Sequence, residues 1–115
     1  MISVNNLAKI KVSEIFLRRI AKSVLKGENK KGELSIVLVS PVKIRELNRK
    51  YRQKDKTTDV LSFESIGLGE IILCPSQIQK NAKRYKSDFK KELTRVLVNG
   101  VLQVLGYDHE KSKRE

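Results

Sequence analysis

Apolar residues recur at helical spacing between residues 12 and 26, where Phe16, Ile20 and Val24 form a row with Leu17 and Ala21 beside it. This spacing is typical of an amphipathic helix that buries one stripe against a core. A second row of the same helix has the same four-residue spacing, and it is basic: Arg18, Lys22 and Lys26. The helix is therefore expected to bury its apolar stripe and expose its basic row.

Four short runs have the composition of β-strands. "ISV" at residues 2–4 is a candidate edge strand, and "ELSIVLVS" at 33–40 is short and rich in β-branched residues. "VLSFES" at 60–65 alternates, with Leu61 and Phe63 on its apolar side. The glycines of "IGLG" separate it from "EIILC" at 70–74, which predicts an antiparallel hairpin.

Two further helices are predicted from residues that favour the start of a helix. Ser40 followed by Pro41 predicts a capped helix, because serine can accept from the free amides and proline loses no needed donor at the first position. Pro75 and Ser76 open another helix in the same way. The expected buried positions of these two helices are Ile44, Leu47 and Tyr51, then Ile78, Ala82 and Tyr85.

Ser87 is the expected cap of a last long helix over residues 88–105, which Gly106 should end in a left-handed conformation. The order is then strand, helix, strand, helix, hairpin, helix, helix. That order predicts an α+β fold with a small mixed sheet, organised as a single domain over residues 1–115.

Charge and cysteine content narrow the class of protein. Twenty-five Lys and Arg against thirteen Asp and Glu give a net charge of +12, which favours RNA or another polyanion as partner, although a merely soluble basic surface has the same charge. Cys74 is the only cysteine, so no intramolecular disulfide or thiolate cluster forms. No signal peptide or long apolar run occurs, so we expect a cytoplasmic protein without a membrane span.

The last helix carries two amides in an otherwise apolar stretch. In "VNGVLQVLGYDHE", residues 98–110, Asn99 and Gln103 are four positions apart and share one face. If this helix is buried, each amide needs a partner, since an unpaired one costs about 1–3 kcal/mol. The amides could bond each other, a backbone carbonyl or a buried water. His109, the only histidine, follows the turn at Gly106.

Three blocks of the sequence together resemble the YbeY family. "NGVLQVLGYDHE" at 99–110 is similar to the family's His-Gly-x-Leu-His-Leu-x-Gly-Tyr-Asp-His motif. "LNRKYRQKDKTTDVLSFE" at 47–64 resembles its arginine-containing turn and Asp-Val-Leu-Ser-Phe strand, and "LGEII" at 68–72 resembles its Leu-Gly-Asp-Ile strand. The order and spacing of the blocks agree across most of the chain.

The resemblance implies a mixed four-stranded sheet packed with about four helices. It also implies a metal-dependent endoribonuclease of single-stranded RNA that acts in rRNA maturation and ribosome quality control. In the family three histidines bind zinc, two of them one helical turn apart and the third after the glycine turn. Such a triad leaves a coordination position for water, whose pKa the metal lowers to about 7.

This sequence departs from the family motif at two of those three positions. Asn99 and Gln103 stand where the resemblance implies histidines, and only His109 matches as a metal ligand. Neutral amide oxygens are poor substitutes for imidazole at zinc. We therefore expect the protein to hold less than stoichiometric zinc, and we expect the two amides to have structural hydrogen bonds rather than a metal.

Arg52 matches the family's arginine, which the resemblance implicates in catalysis and substrate handling. An arginine beside a cleft can hold phosphate bidentately and stabilise charge at a scissile phosphoryl group. From the residues alone, a solvated base beside Lys54 and Lys56 is the favoured interpretation of Arg52, and the resemblance reverses that preference. The six aromatic residues are few and unclustered, so most are expected in the core rather than in a base-stacking platform.

Two functions remain open on the sequence. One is a YbeY-type endoribonuclease of rRNA maturation in which His109, with Asp108 or water, still holds a metal and Arg52 positions the phosphate. The other is a metal-free factor on the same fold that binds RNA or the small ribosomal subunit through its basic surface. A general DNA-binding domain ranks last, because no recognition helix is apparent. The sequence leaves open which RNA is bound and the oligomeric state.

Overall fold

The structure, a computed structural model, describes residues 1–107, and they form a four-stranded sheet packed with four helices. The elements in chain order are β1 (Ile2–Asn6), α1 (Glu14–Gly27), β2 (Leu34–Leu38), α2 (Pro41–Arg52), β3 (Val60–Glu64), β4 (Gly69–Leu73), α3 (Pro75–Arg84) and α4 (Phe89–Val104). The predicted α+β class, the number of helices and the order of elements are confirmed.

The sheet is mixed, with strand order β1-β2-β4-β3. β1 pairs with β2 and β2 pairs with β4 in parallel, whereas β3 and β4 form the predicted antiparallel hairpin. The "ISV" run is confirmed as an edge strand. β2 alternates strictly, with Leu34, Ile36 and Leu38 buried on one face, so its side-chain pattern fixes which face meets the main core.

The two faces of the sheet are covered unequally. Helices α1, α3 and α4 share one face and enclose a core that includes Leu17, Ile36, Ile71 and Leu97. The opposite face carries a smaller cluster in which Ile44 of α2 packs with apolar residues of the sheet. The last residue of α2, Arg52, contacts β3.

The N-terminal cap of α2 is the predicted residue, whereas that of α4 is not. Ser40 Oγ accepts from the amide of Lys43 at 3.2 Å, as predicted. In α4 the cap is Asp88, not Ser87, and its carboxylate accepts from the amide of Lys91 at 2.7 Å. A carboxylate at this place both satisfies a free donor and complements the helix dipole, which explains why it prevails over the serine.

The buried positions of three helices differ in detail from the predicted ones. In α1 the fully buried row is Leu17, Ala21 and Leu25, and the row of Phe16, Ile20 and Val24 flanks it, so the buried stripe is displaced by one residue. Tyr51 and Tyr85 are 50% and 63% exposed. Tyr51 lies in the last turn of α2 and Tyr85 just beyond α3, and Tyr107 is exposed as well.

Gly106 adopts a φ of +101° immediately after α4, as the sequence predicts. This left-handed turn allows the chain to leave the helix without a side-chain penalty. Within residues 1–107, no helix combines the length and apolar character needed to cross a membrane.

Candidate functional site

Arg52 is the last residue of α2 and contacts β3 through its guanidinium group. Its Nη2 donates to the carbonyl of Ser62 at 2.6 Å, and its Cζ lies 5.0 Å from the ring centroid of Phe63. Tyr51 packs edge-on against the same ring at 5.4 Å. The bond to Ser62 engages one of the five N–H donors of the guanidinium, so Arg52 is oriented and keeps donors for an anion.

The turn after α2 is tied to the helix at two points. The buried amide of Asn48 donates to the carbonyl of Lys56 at 2.9 Å. On the exposed side, Arg45 Nε donates to Asp55 at 2.9 Å, and the hydrogen bond and charge of Arg45 lower the pKa of that carboxyl. These contacts fix the turn next to Arg52 although its sequence is almost entirely polar.

Helix α4 meets β3 through a glycine. A Cβ added at Gly100 would lie 3.2 Å from Ile71, 3.3 Å from Val60 and 3.4 Å from the hydroxyl of Ser62. That hydroxyl donates to the carbonyl of Gly100 at 3.1 Å. Gly100 therefore serves the close packing of the helix on the sheet, and it places the residues at the end of α4 beside those at the end of α2.

A pocket of about 380 Å³ lies where these elements meet, and we call it the Arg52 pocket. Arg52 and Gln103 both line it, although they are far apart in the sequence. The remaining lining residues are Ser62, Phe63 and Glu64 of β3, with Gly106 and Tyr107 beyond α4. An arginine and a polar helical position therefore share one opening, and among residues 1–107 Glu64 is the one carboxylate that lines it.

Asn99 and Gln103 are half-buried, on a helix that buries its neighbouring residues Gly100 and Val104. Within residues 1–107, every buried side-chain polar atom has a hydrogen-bond partner. The hydrogen-bonding side chains of α4 in that same stretch are Thr94, Arg95 and Glu92. Because the two amides reach solvent at the edge of the helix, water can satisfy them and no internal partner is required.

Comparison with known proteins gives one consistent answer. The family model of endoribonuclease YbeY matches residues 3–115. A relative named endoribonuclease YbeY from Bdellovibrio bacteriovorus is 40% identical over 97 residues, which are 82% of this chain and 65% of the relative. Another with the same name, from a Sulfurihydrogenibium species, is 37% identical over 113 residues, covering 90% of this chain and 74% of the relative.

The chain belongs to the YbeY family.

The fold agrees with that membership. The solution structure of TM1509 from Thermotoga maritima is 34% identical in sequence and superposes with a TM-score of 0.68, covering 95% of this chain and 75% of the other. The chain spans about two thirds of the length of the Bdellovibrio relative. The residues that the family model matches include every residue that lines the Arg52 pocket.

The zinc positions implied by the YbeY resemblance fall into two groups. Asn99 and Gln103 lie on one side of α4, as the helical spacing predicts, whereas His109 and Asp108 lie outside the described residues. Among residues 1–107 there is no group of three or more His, Cys, Asp and Glu side chains that could hold a metal. The two described positions offer neutral amide oxygens, a donor set that does not fit zinc.

Tyr107 closes one side of the Arg52 pocket through a long-range contact. Its hydroxyl donates to the carboxylate of Glu28, which lies just beyond α1. The same hydrogen bond and charge raise the pKa of Tyr107, so its hydroxyl stays protonated at neutral pH and cannot act as a base there. This contact ties the turn after α4 to the loop after α1.

Sequence reasoning identified Arg52 and Gln103 but missed other residues of the pocket. Ser62 and Phe63 lie inside the Asp-Val-Leu-Ser-Phe block and line the pocket. The alternation of the strand predicts which face of the sheet each side chain lies on, but not that either residue lines a pocket. Glu28 gave no signal at all, because it belongs to a polar loop whose contact with Tyr107 spans 79 residues.

Proposed function

We propose that this chain is an endoribonuclease, as its family and its relatives are named, and that it acts on single-stranded RNA in rRNA maturation in the cytoplasm, as the YbeY resemblance implies. The single observation that carries the proposal is the Arg52 pocket. The arginine that matches the family motif shares this pocket with Gln103, one of the positions that match the metal motif.

Arg52 is the residue proposed to act on the phosphate. Its guanidinium is held against β3 by the bond to Ser62 and the ring of Phe63, with its remaining donors available to a phosphodiester. Two parallel N–H bonds to phosphate oxygens would fix the scissile group and stabilise negative charge that develops on it. A net charge of +12 adds general attraction for the RNA.

In the family, a bound metal would supply an activated water. The amides at positions 99 and 103 do not fit zinc, so no step is assigned to a metal here. Binding to the small ribosomal subunit would follow from the rRNA substrate, and we include it in the proposal as the expected cellular target.

The test is cleavage of a labelled single-stranded RNA by the full chain, followed on a denaturing gel, with binding measured on the same RNA. We expect Arg52→Gln to lower cleavage by about 100-fold or more, since loss of one charge-stabilising donor costs about that much. Arg49→Gln is the matched control, because it removes the same charge from the same helix at an exposed position outside the pocket.

Three outcomes separate the alternatives. Cleavage that depends on Arg52 and not on Arg49 supports the proposal. Binding of RNA without cleavage, in the presence of zinc, manganese or magnesium, would replace it with a metal-free RNA-binding factor on the same fold. Failure to bind RNA even at low salt would overturn both functions.

A further inference from the structure

A second and larger depression lies between α1 and the edge strand β1. Its volume is about 720 Å³, nearly twice that of the Arg52 pocket. Its floor is apolar, with Ile2 and Leu25 among its residues. Its rim carries six cations, and we call the site the basic groove: Arg18, Arg19, Lys22, Lys26, Lys30 and Lys31.

The charge of the basic groove is concentrated and weakly neutralised. Arg18 pairs with Glu14 at 3.5 Å and also donates to the carbonyl of Ile2 at 3.3 Å. The other ion pairs within residues 1–107 lie on α2 and its turn or on α4. No carboxylate lines the groove within that same part of the chain. Such a site attracts a polyanion, and the apolar floor supports the aliphatic stems of the lysines.

The basic groove is joined to the Arg52 pocket by a third depression. This Tyr107 notch, of about 270 Å³, is lined by Gly106 and Tyr107, which also line the Arg52 pocket. Its other lining residues are Leu105, the acidic residue Glu28, and Lys30, which also lines the basic groove. The notch therefore shares lining residues with the Arg52 pocket on one hand and with the basic groove on the other.

We propose that the basic groove binds the phosphate backbone of the same single-stranded RNA whose neighbouring segment occupies the Arg52 pocket, with the strand crossing the Tyr107 notch. This inference rests on the proposed function. A flexible single strand can follow joined depressions around the turn at Gly106, whereas a duplex is stiff over many base pairs. The groove supplies affinity for RNA and the pocket supplies the chemistry.

Affinity should therefore depend on RNA length. An RNA of about four nucleotides fills the Arg52 pocket alone, and one of about 16 nucleotides, at the upper end of single-strand site sizes, also reaches the groove. The test variant is Lys22→Gln, Lys26→Gln and Lys30→Gln combined. The matched control, Lys80→Gln, Lys83→Gln and Lys91→Gln, removes the same charge from exposed positions on α3 and α4.

We expect the groove variant to bind the long RNA at least tenfold more weakly than the control does. The slope of log affinity against log salt concentration should be about 2 less steep for this variant, since each of the three lost phosphate contacts to a single strand contributes about 0.7. Its binding and cleavage of the short RNA should match the control. Arg52→Gln should instead impair cleavage of both lengths, which separates this proposal from the proposed function.

Equal affinity and salt dependence of the groove and control variants for the long RNA would overturn the groove assignment and leave the proposed function intact. Equal weakening for a duplex of the same length would overturn the assignment to a single strand. If the unaltered chain binds neither RNA at low salt, both proposals fail.

Discussion

Helix α4 has two sides that are specified in different ways. On the side that faces the sheet, Gly100 and Val101 are buried, and a carbon atom added at Gly100 would lie only 3.2–3.4 Å from its neighbours on the sheet. At its edge, Asn99 and Gln103 are half-buried and reach solvent. The residues that pack α4 on the sheet are therefore different from the residues at the implied metal-ligand positions. Replacing histidines by amides at those positions leaves the packing intact, which explains how the family fold persists in this chain.

The largest expected effect comes from restoring nitrogen ligands at the edge of α4. Asn99→His with Gln103→His should raise zinc content from below stoichiometric to about one ion per chain, because two imidazoles one turn apart join His109. The free energy of unfolding without metal should change by less than about 0.5 kcal/mol, as both positions are partly exposed. Elemental analysis and chemical denaturation measure the two quantities.

The control for this double variant adds His109→Ala, which should return zinc to the parent level. A double variant that binds no more zinc than the parent would mean that the register of the motif is wrong. Stoichiometric zinc in the parent chain would contradict the argument from donor chemistry.

On the side of α4 that faces the sheet, Gly100→Val should instead lower the stability of the fold. The added carbons collide with Ile71 and Val60, and overpacking of this kind costs about 1–3 kcal/mol. Gly27→Ala is the control, because a Cβ there meets no atom within 4 Å and the residue ends an exposed turn of α1. Thermal unfolding compares them, and equal stability of the two variants would contradict the close approach.

A smaller effect is expected at the contact between α4 and β3. Ser62→Ala removes the hydroxyl that donates to the carbonyl of Gly100, which should cost about 1 kcal/mol. RNA binding that depends on Arg52 should be unchanged, because Arg52 bonds to the backbone carbonyl of Ser62 and not to its side chain. Loss of RNA binding in this variant, with its fold retained, would give the hydroxyl a direct role in the pocket.

The same contrast explains what the sequence could predict. Alternation in β2 and four-residue spacing in α1 are local signals that reflect burial on one face, so the elements and their order follow from them. Helical spacing alone does not show how much of a side chain at the end of a helix other elements cover, so the predicted burial of Tyr51 and Tyr85 is wrong.

Some residues of the candidate site can be predicted from the sequence and others cannot. The family motifs pointed to Arg52 and Gln103 residue by residue, and the structure places both on one pocket. The basic row of α1 was visible as a charged helix face, but its union with Lys30 and Lys31 into a groove depends on how the loop folds back. The contact of Tyr107 with Glu28 joins two distant segments, and no spacing rule predicts it.

The smallest expected effect lies in the turn after α2. Since Arg45 lowers the pKa of Asp55 in the folded chain, their pair stabilises the fold above the unfolded pKa of the carboxyl and is lost as pH falls through the folded value. Asp55→Asn lacks this contribution at every pH. The difference in unfolding free energy between the parent and Asp55→Asn should therefore be small at neutral pH and vanish in acid, because both partners are fully exposed. Urea denaturation at several pH values measures it, and a difference that grows in acid would contradict the pairing.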